Sequence, residues 1–319
     1  MAAIFNPQKA NTTGMVSRRR PFLKMNGLGN DFLVWDARDD ALRLTDDVIA
    51  ALGNRQTGVG FDQMITVERS PLGVDAFMRI HNCDGSQVDA CGNATRCIGR
   101  LLMEEAGADA VTIETNAGLL RAYSSKLPRT ITVDMGEPRL LWNQIPLAEE
   151  FHDTRAIELQ IGPIDDPILH TPSVVNMGNP HAIFWVDDVE AYDLATVGPL
   201  LEHHPIFPEG ANISLADVFG RNEIRVKVWE RGAGLTRACG TAACAVAVAA
   251  ARDKRAGRTS VIHLPGGPLT IEWRESDDHV LMTGATEIEY EGEIDLETLD
   301  WARTAAGDPA NDSSPEAAQ

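Results

Sequence analysis

The sequence predicts an α+β protein made of two similar halves, each a curled, mainly antiparallel sheet around a central helix. Three observations carry this reading. A rare Ala-Cys-Gly string occurs twice, in DGSQVDACGNATRCIGRLL (residues 84–102) and in ERGAGLTRACGTAACAVAVAA (residues 230–250). Landmarks around the two strings keep one register: Asn30 to Gln63 and Asn179 to Asn212 are each 33 residues apart, and Asn30 to Cys91 spans 61 where Asn179 to Cys239 spans 60. Finally, the segment after Cys239 is apolar on every side and so belongs to a fully buried helix, whereas EIRVKVWE alternates as a strand with one wet face does.

The same pattern places the elements in order. In the first half they are a strand over 22–36, a helix over 46–54, strands over 63–68 and 74–82, a helix over 93–106, and further strands within 111–135. The second half repeats them with a strand over 174–186, a helix over 191–203, strands over 212–219 and 224–230, a helix over 241–256, and further strands within 261–283. The domains expected are 21–137 and 138–280, with a C-terminal strand near 281–292 returning to the first. Residues 1–20, which lack periodicity, are expected to be a disordered N-terminal extension, and the small, polar, Pro-containing stretch 302–319 a disordered tail. Met15 is an alternative start.

Composition narrows the function. Of the 319 residues, 47 are Asp or Glu against 28 Lys or Arg, a formal net charge of −19. Such a surface repels a nucleic-acid backbone or an anionic membrane, and neither is an expected partner. The longest apolar run, 242–251, is far below the ~18 residues that span a bilayer. Arg18, Arg19 and Arg20 are not followed by the apolar core of a secretory signal, so a cytoplasmic location is expected. The five cysteines fit neither a zinc ribbon nor a CxxC pair, and no metal is expected.

A cysteine directly before a helix faces the free N–H groups of the first turn, which favours the thiolate. Cys91 and Cys239 are therefore candidate reactive groups. Cys83, Cys97 and Cys244 lack the Gly-rich context and are expected to be packing residues. In a protein with pseudo-twofold halves, equivalent thiols can address one ligand from opposite sides. One thiolate then removes a proton from a stereocentre while the other thiol protonates the opposite face. The adjoining helix N-termini would bind a carboxylate beside that carbon.

Beyond the two cysteine strings, the chain contains KMNGLGNDF (24–32), GVGFDQ (58–63), NCDGSQVDACGNATRC (82–97), NMGNPHAIFWVDDV (176–189), EGANI (209–213), ERGAGLTRACGTAAC (230–244) and LPGGPL (264–269). In this combination it resembles the diaminopimelate epimerase family, from about residue 21 to 290. The resemblance implies the duplicated diaminopimelate epimerase-like fold and cofactor-independent epimerisation of LL-2,6-diaminopimelate to the meso form, for lysine and peptidoglycan precursors. It further implies Cys91 and Cys239 as the acid/base pair, with Gly92, Asn93, Gly240 and Thr241 as donors to the reacting carboxylate. Asn30, Gln63, Asn82, Asn179, Asn212, Glu230 and Arg231 match its other substrate positions. An Arg fork suits a distal carboxylate, and amide or carboxylate oxygens suit ammonium groups. No cofactor is expected, and a homodimer is compatible with the reading.

Blander readings stand beside these. Asn30 and Asn179 follow glycines and could be turn residues, and Glu230 and Arg231 could be a solvated pair. His181 reads as a structural histidine, and His203 and His204 as surface groups. Cys83 stands where the family commonly has a small Ala-type residue. The competing enzyme reading is a proline or hydroxyproline racemase, whose substrate has no use for Arg231. A catalytically dead amino-acid binder would have no reason to keep both cysteines.

Overall fold

The computed structural model describes residues 19–307. In chain order the first elements are β1 (Arg19–Asn26), β2 (Asp31–Asp36), α1 (Asp46–Gly53), β3 (Gln63–Glu68), β4 (Ala76–Asn82), β5 (Gln87–Val88), α2 (Gly92–Ala106) and β6 (Ala110–Thr115). They are followed by β7 (Gly118–Ser124), β8 (Thr130–Asp134), β9 (Gln160–Ile161), β10 (Leu169–His170), β11 (Ser173–Asn176) and β12 (Pro180–Trp185). Then come α3 (Leu194–Glu202), β13 (Asn212–Gly220), β14 (Glu223–Glu230), β15 (Gly234–Thr236), α4 (Gly240–Arg252), β16 (Thr259–Leu264) and β17 (Gly267–Trp273). The last are β18 (Val280–Ala285), β19 (Glu287–Asp295) and β20 (Trp301–Ala306).

Two compact units result. One holds residues 19–27, 31–119 and 285–307; the other holds 28–30 and 120–284. Their ladders repeat one topology. In the first unit β1 pairs antiparallel with β2, β2 parallel with β3, β3 antiparallel with β4, and β4 parallel with β6. The second unit has β11 antiparallel to β12, β12 parallel to β13, β13 antiparallel to β14, and β14 parallel to β16. A short strand leads from the fourth ladder strand to the central helix in both, β5 in one and β15 in the other.

The central helices are buried for different reasons. In α4, residues 242–250 are all buried, and the helix packs against β11, β12, β13, β16 and β17. Small alanines let the sheet approach from every side. In α2 the buried face is mixed: Arg96 is fully buried and Arg100 nearly so, alongside Ala94, Cys97, Ile98 and Leu101. Its end is set by Gly107 at φ 63°, whose N–H returns to the Met103 carbonyl, a left-handed cap that suits glycine. The outer helices close the remaining faces. Ile49 and Leu52 of α1 join Phe22, Trp35, Phe61 and Met64 in one core, and Leu194 and Leu201 of α3 join Phe184, Phe207 and Ile213 in another.

Several expectations need correction. The boundary expected after residue 137 falls at 119/120, because the chain around β8 bonds to β18: Met135 N–H donates to the Val280 carbonyl at 2.8 Å and Val280 N–H to Gly136 at 2.9 Å. The single strands expected at 22–36 and 174–186 are each two strands folded about a Gly-Asn turn. The helix expected over 191–203 starts at Leu194, where Asp193 accepts from Ala195 N–H, and the one expected to end at 256 stops at Arg252. Residues 302–306, expected to be disordered, belong to β20 on β19, and Arg19 and Arg20 are the first rungs of β1 on β19. Trp301 stacks on Tyr290 at 6.2 Å, and the Arg303 guanidinium lies over the Tyr290 ring, 4.0 Å from its centroid. Ladder bonds and ring stacking order this polar strand, and neither is visible in composition. The remaining tail residues lie outside the described ones. No described helix is long and apolar enough to cross a membrane.

Candidate active site

Cys91 and Cys239 occupy the same place in their units, the N-cap of the central helix. Both have extended backbone angles, φ −147° at Cys91 and −129° at Cys239, and neither side chain caps the helix. Their carbonyls accept the first intrahelical bonds, from Thr95 N–H at 2.9 Å and Ala243 N–H at 3.1 Å. Such helix starts, with Gly92 and Asn93 or Gly240 and Thr241 in the first turn, present the backbone N–H end of the helix dipole, which favours an anion.

The surroundings of the thiols differ. Cys91 is half-buried, whereas Cys239 is 5% exposed. Burial pushes the Cys239 thiol well above its ordinary pKa, and the neighbouring Glu230 carboxylate pushes it further. The thiolate expected at both helix starts is thus disfavoured at Cys239, because desolvation outweighs the helix terminus. Burial likewise raises Glu230, while hydrogen bonds from Thr236 and the Cys239 thiol pull the other way. Thr241 Oγ1 lies 3.5 Å from Cys239 Sγ. Cys97, one and a half turns into α2, is fully buried and pushed up to about 12, in keeping with a packing role.

In the first unit, Gln63 Nε2 donates to Asn82 Oδ1 at 3.1 Å, and Asn82 Nδ2 donates to Ser86 Oγ at 3.0 Å. Gln63 Oε1 is buried with no protein donor. The Asn93 side-chain oxygen is engaged within the helix, accepting from the buried Arg96 at 2.9 Å. An ionic clamp fixes the loops. Asp31 and Asp62 accept from each other's backbone N–H, Arg55 bonds both carboxylates, and Lys24 bonds Asp31. Burial alone would raise Asp31, but the Arg55 and Lys24 hydrogen bonds outweigh it and hold the group far below the usual carboxylate range.

In the second unit, Asn212 is 2% exposed; its Oδ1 accepts Arg231 N–H at 3.0 Å and its Nδ2 donates to the Pro180 carbonyl at 2.9 Å. That leaves one amide proton of Asn212 for a ligand. Asn179 Oδ1 lies 2.8 Å from His181 Nε2. His181 is fully buried, and desolvation followed by the Arg231 charge lowers its pKa to about 3, so it is neutral and donates to Asn179. Arg231 is exposed and donates to the Glu209 carbonyl at 2.7 Å, beside a cavity of about 500 Å³ also lined by Arg139, Gln144, Asn176 and Glu209. The cavity includes neither cysteine. Asn30 belongs with this unit's loops. Its neighbour Leu28 packs so closely on Gly266 that a Cβ there would lie 1.9 Å from the Leu28 carbonyl oxygen.

Sequence reasoning missed the groups that hold these residues: Arg55, Asp31 and Asp62, and the Glu202 carboxylate near Arg231. Asp31 and Asp62 did carry a signal, each being adjacent to a candidate, Asn30 or Gln63. Surface exposure of His203 is as expected, at 76%.

Comparison with known proteins gives a consistent picture. The family model described as diaminopimelate epimerase matches residues 22–141 and 173–289. A diaminopimelate epimerase of Afipia carboxidovorans is 60% identical over 279 residues, covering 86% of this chain and 94% of the relative. That of Nitrobacter hamburgensis is 58% identical over 275 residues, with coverage of 86% and 94%. Among solved structures, a Bacillus anthracis phenazine biosynthesis protein of the PhzF family is similar with TM-score 0.60 at 17% identity, covering 86% of this chain and 99% of that one. A hydroxyproline epimerase from Agrobacterium vitis, with bound trans-4-hydroxy-L-proline, has TM-score 0.60 at 13% identity, covering 88% and 93%. These two show a shared fold.

Proposed function

Because the chain belongs to the diaminopimelate epimerase family, we propose that it interconverts LL- and meso-2,6-diaminopimelate by a cofactor-independent, two-thiol mechanism. The observation that carries this reading is the pair of equivalent helix starts, each with a cysteine at the N-cap whose side chain does not cap the helix. In the direction where Cys91 is the base, its thiolate takes the α-proton and the Cα–H bond breaks. The Cys239 S–H bond breaks in turn, its proton going to the opposite face of the carbon. The raised pKa of Cys239 suits it to hold that proton at rest. Afterwards Cys91 is a thiol and Cys239 a thiolate. Exchange of both with solvent, or a turnover the other way, restores the start.

The α-carboxylate takes the N–H groups of Gly92, Asn93, Gly240 and Thr241, which stabilise the enolate-like charge as it develops. Gln63 Oε1, which lacks a protein donor, and the Glu230 carboxylate are acceptors for ammonium groups. The guanidinium of Arg231 takes the distal carboxylate, with the spare protons of Asn82 and Asn212 beside it. Such a polar distal subsite rejects shorter amino acids, since its groups would be left unpaired. Removing an unactivated α-proton also benefits from excluding water, so closure over the substrate belongs to the proposal.

Incubation of the reduced protein with LL-diaminopimelate, L-proline and trans-4-hydroxy-L-proline, with chiral analysis of the products, tests it. Epimerisation of diaminopimelate alone is expected. Turnover of the proline compounds instead would move the chain to the racemase relatives.

A further inference from the structure

One buried acid of the second unit, Glu202, touches both loops of the proposed distal subsite and has no place in the reaction above. It is the last residue of α3, with its side chain 6% exposed. Its Oε2 accepts the Trp229 indole N–H at 2.7 Å, and its Oε1 accepts Gly232 N–H at 2.9 Å. Its main-chain carbonyl accepts Ala211 N–H at 3.2 Å. Trp229 and Gly232 bracket Glu230 and Arg231, while Ala211 directly precedes Asn212. Two more bonds join these loops, from Arg231 N–H to Asn212 Oδ1 at 3.0 Å and from the Arg231 guanidinium to the Glu209 carbonyl at 2.7 Å.

The approach is close on all sides. A Cβ on Gly198, one turn earlier in α3, would lie 2.6 Å from the Trp229 ring, and one on Gly210 would lie 3.1 Å from the Arg231 side chain. The turn therefore has little freedom to find a second arrangement that keeps the carboxylate bonds. A carboxylate accepting N–H groups in a dry setting makes bonds about twice as strong as neutral ones. Glu202 is the right kind of group to preset a turn whose Arg231 side chain is itself exposed.

We propose that Glu202 is a positioning residue that sets the Glu230–Arg231 turn and Asn212 for the distal carboxylate of the substrate. This rests on the function proposed above. Its carboxylate bonds Trp229 and Gly232, and its effect reaches the ligand through Arg231, Glu230 and Asn212.

The test is Glu202→Gln, which keeps the shape but replaces one acceptor oxygen by an amide donor, so Trp229 or Gly232 loses its partner. The expected result is a KM for LL-diaminopimelate raised at least about tenfold with kcat within about threefold, and Gly232 amide exchange at least about tenfold faster. Trp229→Phe, which removes the indole donor alone, is expected to raise KM less. An unchanged KM, or a loss of kcat in step with a fall in melting temperature, would overturn the proposal. If the wild-type protein fails to epimerise diaminopimelate, the functional reading falls. Amide exchange at Gly232 then decides this one, and identical rates in Glu202→Gln and wild type would refute it.

Discussion

Cys91 and Cys239 cap helices of the same length class and stand at the same point of a repeated topology, yet their settings diverge. Cys91 is half-buried before a helix that buries two arginines; Cys239 is almost fully buried before a helix of alanines and valines, with Glu230 beside it. The loops follow suit. In the first unit they are clamped by Arg55 between Asp31 and Asp62, with the Arg55 side chain 57% exposed, whereas in the second they are held by neutral, buried groups such as His181 and by the buried Glu202. Duplication kept the backbone geometry that puts a thiol at a helix start and let the electrostatics drift apart. The two thiols are consequently unequal at rest, as the proposed mechanism asks of a pair holding one proton between them.

The largest expected effect breaks the pair itself. Cys91→Ser and Cys239→Ser should each lower kcat at least about 100-fold while circular dichroism stays that of the wild type. Turnover close to wild type in either variant would remove that cysteine from proton transfer.

Acid titration separates the two kinds of loop support. With a folded pKa of about 3 against 6.5 unfolded, His181 takes up its proton only on unfolding. Its contribution to stability is complete above pH 6.5 and is lost at up to about 1.4 kcal/mol per pH unit as the pH falls toward 3. His181→Gln should show a flatter decline in melting temperature over that window.

Labelling compares the thiols directly. Iodoacetamide at pH 7.5, read peptide by peptide, should modify Cys91 at least about tenfold faster than Cys239, which is buried and held as the thiol. Removing the adjacent charge in Glu230→Gln should narrow the gap by speeding Cys239. Equal rates in the wild type would contradict the inequality.

The smallest effect concerns the exposed clamp. Arg55→Met should cost about 1 kcal/mol near pH 7, a modest figure because the arginine is half in water. Asp31 has a depressed folded pKa, so the stability it contributes is present above about pH 4 and lost on further acidification. The gap between Arg55→Met and wild type in urea unfolding should therefore close below that pH.

The sequence was most legible where a signal repeats. Equal spacings exposed the duplication, and the all-apolar segment after Cys239 announced a buried helix. It was least legible where partners are distant in the chain. The thiolate expected at Cys239 fails because burial and Glu230, nine residues away and on a strand, overrule the local helix terminus. Glu202 carries no motif of its own, and its meaning lies in Gly232 and Trp229, brought to it by folding. Strand β20 escaped notice because Ala-Arg-Thr-Ala-Ala reads as a tail until Tyr290 stacks on Trp301.

The most direct test of the two-thiol account is the isotopic content of the first turnover. LL-diaminopimelate carrying protium at its α-carbons is incubated with the reduced protein in deuterium oxide, and the earliest meso product is analysed by mass spectrometry. Delivery of the new proton by a second thiol predicts deuterium at the inverted centre of essentially every product molecule, with the unreacted LL substrate still protiated. Early product that retains the substrate's own protium at that centre would mean that one base both removes and returns the proton, and would contradict the account.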